Sequence, residues 1–132
     1  MMVTDPIGDF ITRLKNAGAV RKASVSIPYS KLKESVALAL KKCGYVGEVS
    51  DTGKGVEKQL VVTLLYHKDG SPKITDVKRI SKPGRRLYAQ VKDVHPVRYG
   101  KGVMILSTPR GILTDSEARK VRAGGETLFT MW

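Results

Sequence analysis

The stretch "STPRG", Ser107 to Gly111, gathers two hydroxyls, a proline, a guanidinium and a residue without a side chain at the end of an apolar run. Ser107, Thr108 and Arg110 are short donors and a planar fork, Pro109 stiffens the chain, and Gly111 lets a ligand approach the backbone. Such groups contact ribose, phosphate and base edges at close range in a shallow groove. A structural turn between strand and helix, rich in Ser, Thr and Gly, is the plain alternative. A second cluster, "KRISKPGRRLYAQ", puts Lys78, Arg79, Lys82, Arg85 and Arg86 within nine residues with no acid among them. Pro83 and Gly84 mark a tight turn there, and Tyr88 follows. Cations at a turn can track phosphates while a ring stacks on an unpaired base. The competing picture is an edge strand guarded by lysines, with Tyr88 in the core.

Weaker candidates lie earlier. Arg13 and Asn16 can stand off the apolar stripe of a first helix, with Lys15 nearby. Lys31 follows a helix cap, beside unpaired N–H groups that favour an anion, so it does nothing for the helix dipole. Catalytic chemistry finds little support. His67 and His95 have no metal-ligand companions at a recognised spacing, and Cys43 has no obvious base. "GKG" at Gly53 and "GKGV" at Gly100 lack the spacing of a phosphate loop, and no nucleophile elbow is present. No enzyme activity, metal or cofactor is expected.

The elements that must position these groups follow from periodicity. A first helix opens at Thr4 or Asp5, with Pro6 pre-set for its first position, and carries Ile7, Phe10, Ile11 and Leu14 until Gly18 stops it. A strand over Ser24 to Ile27 precedes a second helix, capped by Ser30. Its stripe is Leu32, Val36, Ala39, Leu40 and Cys43, and Gly44 ends it. Cys43 is expected to be a small buried hydrophobe. Strands follow over Tyr45 to Val49 and Lys58 to Tyr66, joined through "DTGKG". "HKDGSP", His67 to Pro72, marks a domain boundary. Beyond it, Ile74 to Ile80, Leu87 to Ala89, Val103 to Leu106 and Glu126 to Trp132 read as strands. One short helix runs from Asp115 to about Arg122, started by the capping box Thr114 to Glu117. The predicted fold is α+β in two small domains: an α/β half, 1–70, and a β-rich half with one helix, 71–132, the second taken as the RNA-binding domain.

Charge selects the partner. The chain carries 24 Lys and Arg against 12 acids, a formal +12, and 13 of those cations with only 5 of the acids fall in 71–132. Such an excess points to a polyanion, nucleic acid first and an anionic membrane surface second. No apolar stretch approaches the roughly 18 residues that span a bilayer. The N-terminus lacks the pattern of a signal peptide, and a single cysteine suits a reducing cytoplasm. A basic DNA-binding repressor and an adaptor for membranes or acidic partners are the rival readings.

Five blocks in order resemble the bacterial small-subunit ribosomal protein S8 (uS8) family: "TDPIGDFITRLKNA", "IPYSKLK", "RISKPGRRLY", "GVMILSTPRGILTDSEAR" and "GGETLFTMW". The resemblance implies a two-domain α+β protein, cytoplasmic within the small ribosomal subunit. It implies binding of 16S ribosomal RNA in the central domain and help in organising the platform of the 30S subunit. It also implies contacts with the fifth and twelfth small-subunit proteins and, in some bacteria, repression of its own operon mRNA. The family's RNA-contacting loop maps onto Ser107, Thr108, Pro109, Arg110 and Gly111. N-terminal contacts map onto Thr4, Arg13, Asn16 and Lys31. The family loop usually reads S-T-S-K-G, so Pro109 here removes two donors and shifts the expected burden onto Ser107 and Thr108.

Overall fold

The computed structural model describes residues 5–90, 92, 94 and 101–132; Thr4, His95 and Gly100 lie outside them. Asp5 caps the first helix, α1 (Pro6–Ala19), its Oδ1 accepting the Gly8 N–H at 3.1 Å. Ile7, Phe10, Ile11 and Leu14 are buried along one stripe. Gly18 does not end α1. A Cβ there would stand 3.2 Å from the Pro72 side chain, so this glycine serves close packing, and Arg21 makes the exit at φ +59°.

After β1 (Ser24–Pro28), the Ser30 hydroxyl accepts the Lys33 N–H at 3.1 Å and starts α2 (Lys31–Lys42). Val36, Ala37, Ala39 and Leu40 are buried, but Cys43 is exposed and so is Leu32. Both belong to the expected stripe, yet they lie in the first and last turns, where it runs past the buried middle of the helix. Strands β2 (Val46–Thr52) and β3 (Gln59–Leu64) complete an antiparallel sheet of order β1-β3-β2. Val25, Ile27, Leu60, Val62 and Leu64 alternate inward as a half-buried sheet requires.

The second sheet holds β4 (Val77–Arg79), β5 (Tyr88–Ala89), β6 (Val103–Thr108), β7 (Gly111–Thr114) and β8 (Gly125–Met131). Its order is β4-β8-β6-β7, with β5 also on β8, and α3 (Asp115–Val121) follows β7. The strand expected over Ile74 to Ile80 shrinks to β4. The pairing of β8 slips beside Leu128, and there the consecutive N–H groups of Ile80 and Ser81 bond the consecutive carbonyls of Leu128 and Thr127. The connection expected between Leu106 and the last helix is instead a hairpin: β6 runs on through Thr108, and β7 returns from Gly111. The capping box is present, Thr114 Oγ1 accepting the Glu117 N–H and Glu117 Oε1 the Thr114 N–H, each at 3.2 Å.

The chain forms two compact units, Met1–Asp9 with Asp76–Trp132, and Phe10–Thr75; the division falls within α1. Phe10, Leu14, Leu40 and Leu60 anchor one core, Ile105, Leu106, Phe129 and Met131 the other. Each such side chain contributes about 1.5–3 kcal/mol relative to exposure. Leu106 packs with Ala118 and Val94 on the face of the second sheet covered by α3. Ile105 and Phe129 oppose each other in register on the other face.

Candidate nucleic-acid interface

Register brings distant residues into one row. Tyr88 opposes Glu126, Glu126 opposes Ser107, and Ser107 opposes Ile112, so all four share one face of the second sheet. Tyr88 is 72% exposed, a ring available for stacking rather than a core aromatic. Ser107 is half-buried, and among the described residues its hydroxyl has no protein partner.

Thr108 differs. Its hydroxyl accepts the Arg110 N–H at 3.1 Å and donates to the Gly111 carbonyl at 2.8 Å, so the donor is spent inside the turn. Pro109 and Arg110 are the two central residues, and among the described non-glycine residues only Arg21 and Arg122 take positive φ. That leaves a type I geometry with proline at its preferred position, and Gly111 at φ +108° joins the turn to β7. Pro109 and Gly111 shape the tip; Arg110 is exposed on it.

The basic cluster is built on a second turn. Lys82 and Arg85 exchange backbone hydrogen bonds of 3.0 and 2.9 Å across Pro83-Gly84, and the side chains from Lys82 to Arg86 are exposed. Its neck is fixed from β8. Fully buried Ser81 donates its hydroxyl to Glu126 Oε2 and accepts the Leu87 N–H at 3.2 Å; Arg86 Nη1 reaches the same oxygen at 2.9 Å. Burial pushes the Glu126 carboxyl up, but hydrogen bonds from Ser81 and Arg86 outweigh it and hold it below the usual range. Arg86 therefore already faces a carboxylate. Arg79 is turned inward: its Nε and Nη2 grip Asp5 Oδ2 and Oδ1, each at 3.0 Å, and Nη1 donates to the Leu128 carbonyl. Burial raises the Asp5 carboxyl, while Arg79 and the Gly8 N–H more than reverse the shift.

Arg13, Asn16 and Lys31 belong to the other compact unit. Arg13 and Asn16, exposed on α1, line a groove of about 400 Å³ with Ala17, Val20, Lys22, Ser24, Val25 and Ser26. Lys31 is exposed on the first turn of α2 and does not line that groove. Composition and periodicity do not single out Glu126, Ser81 or Lys22. Glu126 carried one usable signal, an acid directly after two glycines in the strongly cationic half.

Among the described residues no cluster of three or more His, Cys, Asp or Glu could hold a metal. No described helix is long and apolar enough to cross a membrane.

Fold and surface together define a small basic α+β protein that presents a ring, a hydroxyl and two cationic turns along one sheet. The family model described as Ribosomal protein S8 matches residues 5–132, and the chain belongs to that family. It is similar to proteins named Small ribosomal subunit protein uS8 throughout its length. That of Persephonella marina is 45% identical, over 99% of this chain and 100% of the relative. That of Chloroflexus aurantiacus is 46% identical over 100% of both, and that of Rubrobacter xylanophilus 47% over 97% of both. The family is a structural component of the ribosome, and the chain is a ribosomal protein rather than an enzyme.

Proposed function

We propose that the chain binds 16S ribosomal RNA through the sheet formed within 71–132 and helps to assemble the platform of the small subunit. The single observation that supports this most is the row Tyr88–Glu126–Ser107, flanked by cations on two exposed turns. Tyr88 supplies a stacking face and Ser107 an uncommitted hydroxyl for a base edge or ribose. Lys82, Arg85 and Arg110 neutralise phosphates around them. Pro109, Gly111 and Thr108 set the shape of the tip, and Arg86 joins in only if a phosphate competes with Glu126. Contacts with the fifth and twelfth small-subunit proteins and repression of its own message are further proposals, which rest on the family resemblance alone.

Binding of a 16S central-domain fragment by Ser107→Ala, compared with binding of a random RNA duplex, tests the reading. The specific fragment should weaken by about tenfold, the worth of one lost hydrogen bond, while the duplex is unchanged. Equal losses on both would refute recognition through this row.

A further inference from the structure

We propose that Glu126 sets the specificity of the Tyr88–Glu126–Ser107 row: its carboxylate turns phosphates away from the middle, so that only riboses and bases settle between the ring and the hydroxyl. The inference rests on the reading of that row as an RNA-binding surface. An acid is out of place on such a surface. Residues 71–132 hold 13 cations and 5 acids, and one of those five stands between Tyr88 and Ser107. Support of the turn's neck accounts for only one of its oxygens. Oε2 takes both Arg86 Nη1 and the Ser81 hydroxyl, whereas Oε1 has no hydrogen-bond partner among the described residues. No buried side-chain oxygen among them lacks a partner, so Oε1 is open to solvent.

The group meets RNA as an anion. Burial raises its carboxyl, but the bonds from Ser81 and Arg86 hold it below the usual range. A phosphate that approaches Oε1 therefore meets a like charge. A ribose hydroxyl or a base amino group is neutral and donates to the same oxygen. Glu126 also withholds Arg86, whose side chain is 50% exposed, because a phosphate must displace Oε2 before it gains that guanidinium. The unspent cations lie at the two ends: Lys82 and Arg85 on the turn before Tyr88, and Arg110 on the turn after Ser107. Charge along the row runs positive, negative, positive. That pattern admits phosphates at both flanks and refuses one between them, so a polyanion without a base or ribose to place there binds poorly.

Glu126→Gln in the full chain tests this. The amide oxygen can keep the bonds from Ser81 and Arg86, while the outer position changes from an anion to a neutral amide. A random RNA duplex should bind about fivefold more tightly, the worth of one like charge removed at contact range in water. Its salt slope should steepen by about 0.7–0.9 as Arg86 takes a phosphate. The 16S central-domain fragment should not gain in step, because neutral groups already fill the row. Ser81→Ala is the control: it loosens the neck and keeps the carboxylate, so the duplex should gain nothing. If Glu126→Gln also loosens the neck, seen as faster amide exchange at Leu87, the comparison of the two variants still isolates the charge. Duplex binding by Glu126→Gln no tighter than by Ser81→Ala overturns the proposal, and leaves the row standing where Ser107→Ala still weakens the fragment alone. Equal gains on duplex and fragment overturn it as well. If Ser107→Ala weakens both RNAs equally, the row and this inference fall together.

Discussion

Two proline turns carry cations on the second sheet, and they are held in different ways. The tip at Thr108–Gly111 is fixed by its own residues: Thr108 bonds Arg110 and Gly111, all within three positions. The tip at Lys82–Arg85 also closes on its own backbone bonds, but its neck depends on Glu126, some forty residues away, through Ser81 and Arg86. A locally closed turn survives changes elsewhere in the sheet. A neck fixed through a half-buried carboxylate is tied to the integrity of β8 and to pH.

The largest break in this comparison should come from Glu126→Ala. It strands the buried Ser81 hydroxyl and the Leu87 neck, and should cost about 2 kcal/mol in urea unfolding. Backbone protection should fall at Leu87 and hold at Arg110. Thr108→Val, which keeps the shape and removes both hydroxyl bonds, should cost about 1 kcal/mol and loosen Arg110 alone. An equal effect of the two changes at both turns would erase the distinction.

Acid sharpens it. Asp5 and Glu126 titrate below their usual range in the folded chain, so their stabilisation is complete above the unfolded values near 4 and is lost as pH falls through the lower folded values. Protection factors followed from pH 6 to 3 should therefore fall at Leu87 first, because among the described residues no carboxylate takes part in the Thr108 turn. The smallest effect is on salt dependence. Arg85→Ala should flatten the slope of RNA binding by about 0.7–0.9 for a lost phosphate contact, and Arg86→Ala by less, since Glu126 already balances Arg86. Matching slopes would show that RNA breaks the Arg86–Glu126 pair.

What was legible in the sequence follows the same division between local and distant bonds. The caps at Ser30 and Thr114 were readable because donor and acceptor lie three residues apart, and the structure settles on Asp5 where Thr4 and Asp5 were both open for the first helix. The tight turn at Pro83-Gly84 was readable too. The return strand β7 was not, because "PRGILT" reads as an exit into the helix until the positive φ of Gly111 is known. The Ser81–Glu126–Arg86 cluster and the inward turn of Arg79 were hidden for a different reason. Both need the register of β8, and the slip beside Leu128 decides which of its residues stand in the same row as Ser107. Cys43 misled because helical spacing describes a direction around the axis and not how far along it burial extends.

Gly125 gives this sheet a steric veto. A methyl group in its place would overlap the Ser107 carbonyl and press to 3.0 Å from the Thr108 Cα, both of them backbone. No rotamer relieves such a collision; β6 itself must retreat, carrying its terminal hydroxyl out of line with the phenol across β8. Laboratory diversification of the tip can therefore range widely over its exposed side chains, while Gly125 across from its base is closed to any added group.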